Sequence, residues 1–139
     1  MRKGLPYVDS NVFLFPVIYR AEDVEEARRA KSFLLKIARG EVEAYTSTIT
    51  WDEVVWVIRK IFNFELSLEQ GRRFLEFPNL KFLSVKKSTV FVAHKLLERY
   101  RLKPRDALHA AVAIENGLTE IVSYDRDFDV LKELKRIEP

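Results

Sequence analysis

The stretch Pro104-Arg105-Asp106-Ala107-Leu108-His109-Ala110-Ala111-Val112-Ala113-Ile114-Glu115-Asn116-Gly117, followed by Leu118-Thr119-Glu120-Ile121-Val122-Ser123-Tyr124-Asp125, reads as a helix that feeds a strand. Pro104 suits the first turn of a helix, because the missing N–H would be unsatisfied there anyway. The Ala-rich run carries the helix to Asn116, and Gly117 stops it. Residues 120–123 form an apolar strand with Asp125 just beyond it. The same alternation repeats outward. Strands are expected over residues 5–9, 42–47, 80–85, 120–123 and 134–137. Helices are expected over residues 10–19, 23–39, 50–62, 67–76, 88–99 and 104–116, with a short helical turn over 126–131. Asp23 and Glu26 have the spacing of a capping box, and Gly40 stands past the end of that helix. Strands separated by helices require crossover connections, which predicts a three-layer α/β/α fold with a mainly parallel central sheet. No repeat, low-complexity run or linker divides the chain, so residues 1–139 read as a single domain.

Composition sets the outer bounds. The 139 residues are 47% hydrophobic and 32% charged, which suits a globular chain and argues against disorder. No cysteine is present, so disulfides and thiolate metal sites are excluded. Apolar runs are far too short for a membrane span. The charged opening Met1-Arg2-Lys3 reaches Asp9 too soon to enclose a signal-peptide core. A cytoplasmic protein is expected. The net charge of +3 is a mild excess, which gains meaning beside a cluster of acids: the rest of the surface must then be more basic than the total suggests.

Four acids stand where elements begin or end: Asp9, Glu53, Asp106 and Asp125. In open α/β sheets the carboxyl ends of the strands border the ligand crevice. Each acid also has a plainer reading. Asp9 can cap the helix that follows it, Glu53 completes a capping box opened by Thr50, and Asp106 can answer a helix dipole. Asp125 and Asp127 can be turn residues. Their shared placement is the informative feature. If the fold brings them together, like charges raise one another's pKa, and a hard divalent cation relieves the repulsion. No Gly-rich phosphate loop, GxSxG elbow or zinc-spaced His/Cys set competes with this reading. His109 lies one helical turn from Asp106 and could touch it; a packing or supporting role outranks general-base duty.

The ordered set Val8-Asp9-Ser10-Asn11-Val12, then Thr48 to Glu53, then Pro104 to Ala110, then Val122-Ser123-Tyr124-Asp125-Arg126-Asp127-Phe128 resembles the PIN-domain ribonucleases. It resembles most closely the VapC-type toxins of prokaryotic toxin–antitoxin pairs, over nearly the whole chain. The resemblance implies that Asp9, Glu53 and Asp106 form the central acidic triad, with Asp125 as a more variable fourth member. Asp127 is a further candidate, and Ser10 and Ser123 match hydroxyl positions that support the acids. It also implies endonucleolytic cleavage of RNA leaving a 5′-phosphate, with Mg2+ (or Mn2+) held by the four carboxylates. A homodimer and a cognate antitoxin whose peptide blocks the crevice are implied too. Two features depart from the pattern: Asp52 precedes Glu53, and the helix between the first two acids is long and charged, which alters the partner surface rather than the chemistry.

Lys103, Arg105 and Arg126 flank the acids and are expected to hold RNA phosphates at the rim. Trp51 and Trp56 are expected in the core or an interface rather than as base-stacking platforms. The helix they start, with Phe62 and Phe64, has more apolar surface than one sheet contact needs, which also favours a homodimer. Two alternatives stand beside the toxin reading: a non-toxin PIN nuclease in RNA processing or quality control, and a catalytically weak RNA- or protein-binding module on the same scaffold.

Overall fold

Tyr7 and Val8 are neighbours on one strand, point to opposite faces, and are both fully buried, so the strand is covered on both sides. The computed structural model describes residues 2–139, with side chains from Leu5 onward. Met1, and the side chains of Arg2 and Lys3 with which the chain opens, lie outside that description. The strands are β1 (Arg2–Val8), β2 (Ala44–Ser47), β3 (Leu80–Leu83), β4 (Leu118–Val122) and β5 (Lys135–Ile137). The helices are α1 (Ser10–Ile18), α2 (Glu25–Ala38), α3 (Thr48–Ile61), α4 (Phe64–Leu75), α5 (Lys87–Tyr100) and α6 (Pro104–Glu115), and a 3₁₀ turn covers Arg126–Val130.

The strands form one sheet in the order β3-β2-β1-β4-β5, and every pairing is parallel. The expected three layers are therefore present. One core packs α5 and α6 against Tyr7, Tyr45 and Ile121; the other packs α1 to α4 against Val8, Ala44 and Val122. The chain runs outward from β1 through β2 to β3, then crosses to β4 on the other side of β1. The order reverses between β1 and β4, and such a switch point leaves a crevice at the strands' carboxyl ends. Among the described residues, no helix is long and apolar enough to cross a membrane.

Several boundaries differ from expectation, each for a local reason. α3 begins at Thr48 rather than Thr50, directly after Ser47 ends β2. The Thr50 hydroxyl hydrogen-bonds with Thr46 Oγ1 at 2.8 Å instead of capping the helix. α2 starts at Glu25 behind Val24, with no side-chain cap, so the Asp23–Glu26 box does not form. α4 starts at Phe64 rather than Ser67, because Asn63 Oδ1 accepts from Leu66 N at 2.7 Å and supplies the cap. β2 and β3 are shorter than expected, and β4 begins two residues earlier. The stops at Gly40 and Gly117 hold: their φ values of +78° and +74° lie in the left-handed region that glycine tolerates.

Phe128 anchors the 3₁₀ turn that follows Asp125 by burying its ring completely in the α5–α6 core. Phe128→Ala is expected to cost about 3–5 kcal/mol, as for other fully buried aromatics. Urea unfolding of the two proteins checks this, and a loss below about 1 kcal/mol would contradict the anchoring role.

Candidate metal centre

Val8 and Val122 are paired at the ends of β1 and β4, so the next residues, Asp9 and Ser123, emerge side by side. Asp9 N donates to Val122 O at 3.0 Å, extending the pairing by one residue. The Asp9 side chain is buried and gathers donors from both strands. Ser10 N donates to Oδ1 at 2.8 Å, and Ser123 Oγ donates to Oδ2 at 2.6 Å. Ser10 Oγ donates to Oδ1 at a longer 3.4 Å. Asn11 Nδ2 reaches both Asp9 Oδ2 at 3.3 Å and Ser123 Oγ at 3.1 Å, while its Oδ1 accepts from Tyr124 N at 3.3 Å. Asp9 does cap α1, as its plainer reading required, and its carboxylate also lies within 4.8 Å of ligand atoms of Glu53 and His109.

Glu53 comes from α3. Its carboxylate bonds to His109 Nε2 rather than turning back to Thr50, so the capping-box reading of this residue is overturned. Asp52, the competing neighbour, is exposed and pairs with Arg105 at 3.4 Å. Glu53 is the inward member. His109 is fully buried on α6, and its hydrogen bonds run to Glu53 and Tyr7 rather than to Asp106. Its Nε2 also lies 3.6 Å from Asp9 Oδ1.

Asp106 stands in the first turn of α6 and Asp125 caps the 3₁₀ turn, accepting from Asp127 N at 2.9 Å. Ser123 Oγ accepts from Asp125 N at 3.0 Å and so ties this acid to the Asp9 support. Oxygens of Asp106, Asp125 and Asp127 lie within 4.8 Å of one another, and ligand atoms of Asp9, Glu53 and His109 form a second such group. Glu53, Lys103, Pro104, Arg105, Asp106 and Asp125 line a cleft of about 610 Å³. Arg126 borders a neighbouring hollow with Phe15, Arg29 and Tyr124. The cleft thus holds Lys103 and Arg105 of the three expected rim cations.

The electrostatics fit a site short of positive charge. Burial pushes the Asp9 carboxyl above its ordinary range, partly offset by His109 and the Ser123 hydrogen bond. Burial, then the charges of Asp125 and Asp9, raise Asp106 to about 6. Burial alone would pull His109 down, but Tyr7, Glu53 and Asp9 hold it well above the usual imidazole range. Asp106 Oδ2 is buried with no hydrogen-bond partner. A buried oxygen is rarely left unpaired unless something else occupies that direction. With carboxylate donors around it, the arrangement fits a hard divalent cation.

Asn11, Tyr7 and Ser47 were not among the expected site residues. Asn11 carried the weakest signal, a polar residue two positions after an acid. Tyr7 was visible as a hydroxyl inside an apolar strand, where burial obliges it to find a partner.

The PIN domain family matches residues 7–134 of the chain. No curated protein matches it in sequence. Among solved structures, it is similar in fold to VapC20 of Mycobacterium tuberculosis, described as a sarcin–ricin loop cleaving toxin. That likeness has a TM-score of 0.72 at 15% identity, covering 96% of this chain and 98% of the other. VapBC2 of Rickettsia felis, solved with a promoter DNA fragment, gives 0.71 at 17% identity over 96% and 98%. A toxin–antitoxin complex from Klebsiella pneumoniae gives 0.67 at 20% identity over 96% and 99%.

A raised carboxyl pKa fixes the sign of one pH effect. Asp106 binds its proton more tightly folded than unfolded, so its contribution is fully present below its unfolded value of 3.8 and is lost as pH rises through about 6. Metal-free protein is therefore expected to lose stability over that window, and Asp106→Asn to flatten the loss and melt higher at neutral pH. Thermal melts in chelator from pH 4 to 8 check this; an unchanged profile would contradict mutual repulsion at the site.

Proposed function

The chain belongs to the PIN domain family, and from that premise we propose that it is a divalent-metal-dependent endoribonuclease, the toxin of a VapBC-type toxin–antitoxin pair. The observation that carries the reading is the convergence of Asp9, Glu53, Asp106 and Asp125 from four separate elements, with a buried Asp106 oxygen left unpartnered. These four carboxylates would hold Mg2+ (or Mn2+), with Asp127 able to join from the rim. When bound, such an ion lowers the pKa of a water and neutralises charge developing on the phosphodiester.

The rest of the work falls to the chain itself. Ser10, Ser123 and Asn11 fix both oxygens of Asp9, so that it enters the reaction already oriented. Lys103 and Arg105 sit on the cleft wall, where they meet a polyanion's phosphates. Arg105 is partly neutralised by Asp52, so Lys103 is the freer cation of the two. Arg126 would contact the strand one step away, over the adjoining hollow. RNA as the substrate is supported by the family resemblance and by the sarcin–ricin loop cleaving toxin among the fold relatives. A cognate antitoxin is supported by the toxin–antitoxin complex among them.

A homodimer is supported by surface. Trp51 is 41% exposed and Trp56 53% exposed, so neither belongs to the core, and Ile61, Phe62, Phe64, Leu68 and Leu75 are exposed on the same α3–α4 pair. Exposed apolar side chains gathered on one helix pair are what a second copy of the chain would cover.

Two experiments test the reading. Labelled RNA is expected to be cut with Mg2+ or Mn2+ and spared in chelator, and Asp9→Asn or Asp106→Asn to cut at least about 100-fold more slowly. Full activity in either variant would overturn the assignment. Sedimentation equilibrium is expected to show a dimer that Trp56→Glu converts to monomer; a variant that stays dimeric would place the interface elsewhere.

A further inference from the structure

One polar side chain of the inner sheet is left without a role by the nuclease reading. Tyr7 is fully buried in β1. Its hydroxyl lies 2.7 Å from Ser47 Oγ, at the end of β2, and 2.6 Å from His109 Nδ1 on α6. The two rings meet edge to face, with centroids 5.5 Å apart. On the far side of the imidazole, Nε2 bonds to Glu53 Oε1. Ser47, Tyr7, His109 and Glu53 thus form one unbroken chain of contacts that crosses four elements and ends on a carboxylate of the acid cluster.

The direction of the last bond follows from chemistry. An ionised carboxylate only accepts, so the nitrogen facing it must carry hydrogen. This holds for the neutral ring, where Tyr7 donates to Nδ1, and for the charged ring, where Nδ1 donates to Tyr7. In either state Nε2 has no lone pair to give an ion. A hydrogen bond on one oxygen of Glu53 leaves the other oxygen to face the cleft, and the ring that makes the bond is itself held by a buried hydroxyl.

We propose that His109, steered by Tyr7 and Ser47, is a positioning residue that presents Glu53 to the divalent cation and is not itself a ligand. The proposal rests on the metal-dependent reading of the site. It also assigns Tyr7, which reaches the acid cluster only through the His109 imidazole, a part in metal affinity.

Mn2+ titration followed by electron paramagnetic resonance tests it on wild-type protein, Tyr7→Phe, His109→Gln and His109→Leu, with a thermal melt of each. Loss of a partner that orients a metal ligand weakens binding by about 10-fold or more, which is the expectation for His109→Leu. Gln can return an N–H to the position of Nε2, so His109→Gln is expected to recover most of the affinity. Tyr7→Phe should fall between. Bound Mn2+ is expected to show no coupling to a directly coordinated nitrogen. Equal affinity in all variants, or such a nitrogen coupling in the wild type, overturns the proposal. If His109→Leu does not fold, the Tyr7→Phe and His109→Gln proteins carry the comparison. Wild-type protein that binds no Mn2+ overturns the metal-dependent reading itself, whereas wild-type binding with unaltered variants overturns only the role of His109.

Discussion

Negative charges confined to one crevice repel, and the protein around them has to hold them there against that force. At the 4.8 Å limit within which Asp106 and Asp125 meet, a like-charge pair costs at most about 3 kcal/mol at the effective dielectric of a protein surface, and less where solvent screens it. A domain's whole stability is about 5–15 kcal/mol, so even a few such pairs are a sizeable share of it. Three responses are visible. Asp106 holds its proton up to about pH 6, His109 sets its Nε2 against both Asp9 and Glu53, and Ser123 and Ser10 donate to Asp9. None of them satisfies Asp106 Oδ2. The remaining demand is for a cation.

The parallel sheet explains why the acids can be so far apart in sequence. Every strand points its carboxyl end the same way, so each exit from the sheet delivers its next residue to a common edge. The reversal of strand order between β1 and β4 opens that edge where Asp9 and Ser123 emerge. The α6 N-terminus and the 3₁₀ turn then supply Asp106 and Asp125 from one side, and α3 supplies Glu53 from the other. Arg136 braces the exit of β4: its Nη1 donates to Ser123 O at 3.0 Å, and its Nε to Asp129 Oδ1 at 2.8 Å.

Much of this was legible in the chain because it depends on local pattern. The Ala-rich run after Pro104, the stop at Gly117 and the apolar strand that follows specify α6 and β4 with little need of context. The position of each acid at a terminus followed from the same pattern. What sequence could not supply was rotation about a helix axis and contact across the sheet. Thr50-Trp51-Asp52-Glu53 is a capping box by spacing, yet Thr46 captures the Thr50 hydroxyl and His109 captures Glu53. Both partners are remote enough, or on a different element, that tertiary contact outcompetes the local bond. His109 had its near neighbour Asp106 as the natural guess, but a fully buried ring takes the partners the opposite elements offer.

The direct join of β2 to α3 has a consequence for how this architecture can change over time. Ser47 ends the strand and Thr48 begins the helix, with no residue between them to absorb a change in length. Each residue of an α-helix advances the chain by ~100° about the axis. One insertion between Ser47 and Glu53 would therefore swing the carboxylate out of the cleft and bring Asp52 toward His109, and one deletion would bring Val54 there. Indels in descendants of this gene should be purged from that junction and tolerated in the segment between α1 and α2, where exposed, charged residues such as Glu22 and Asp23 bear on no site geometry.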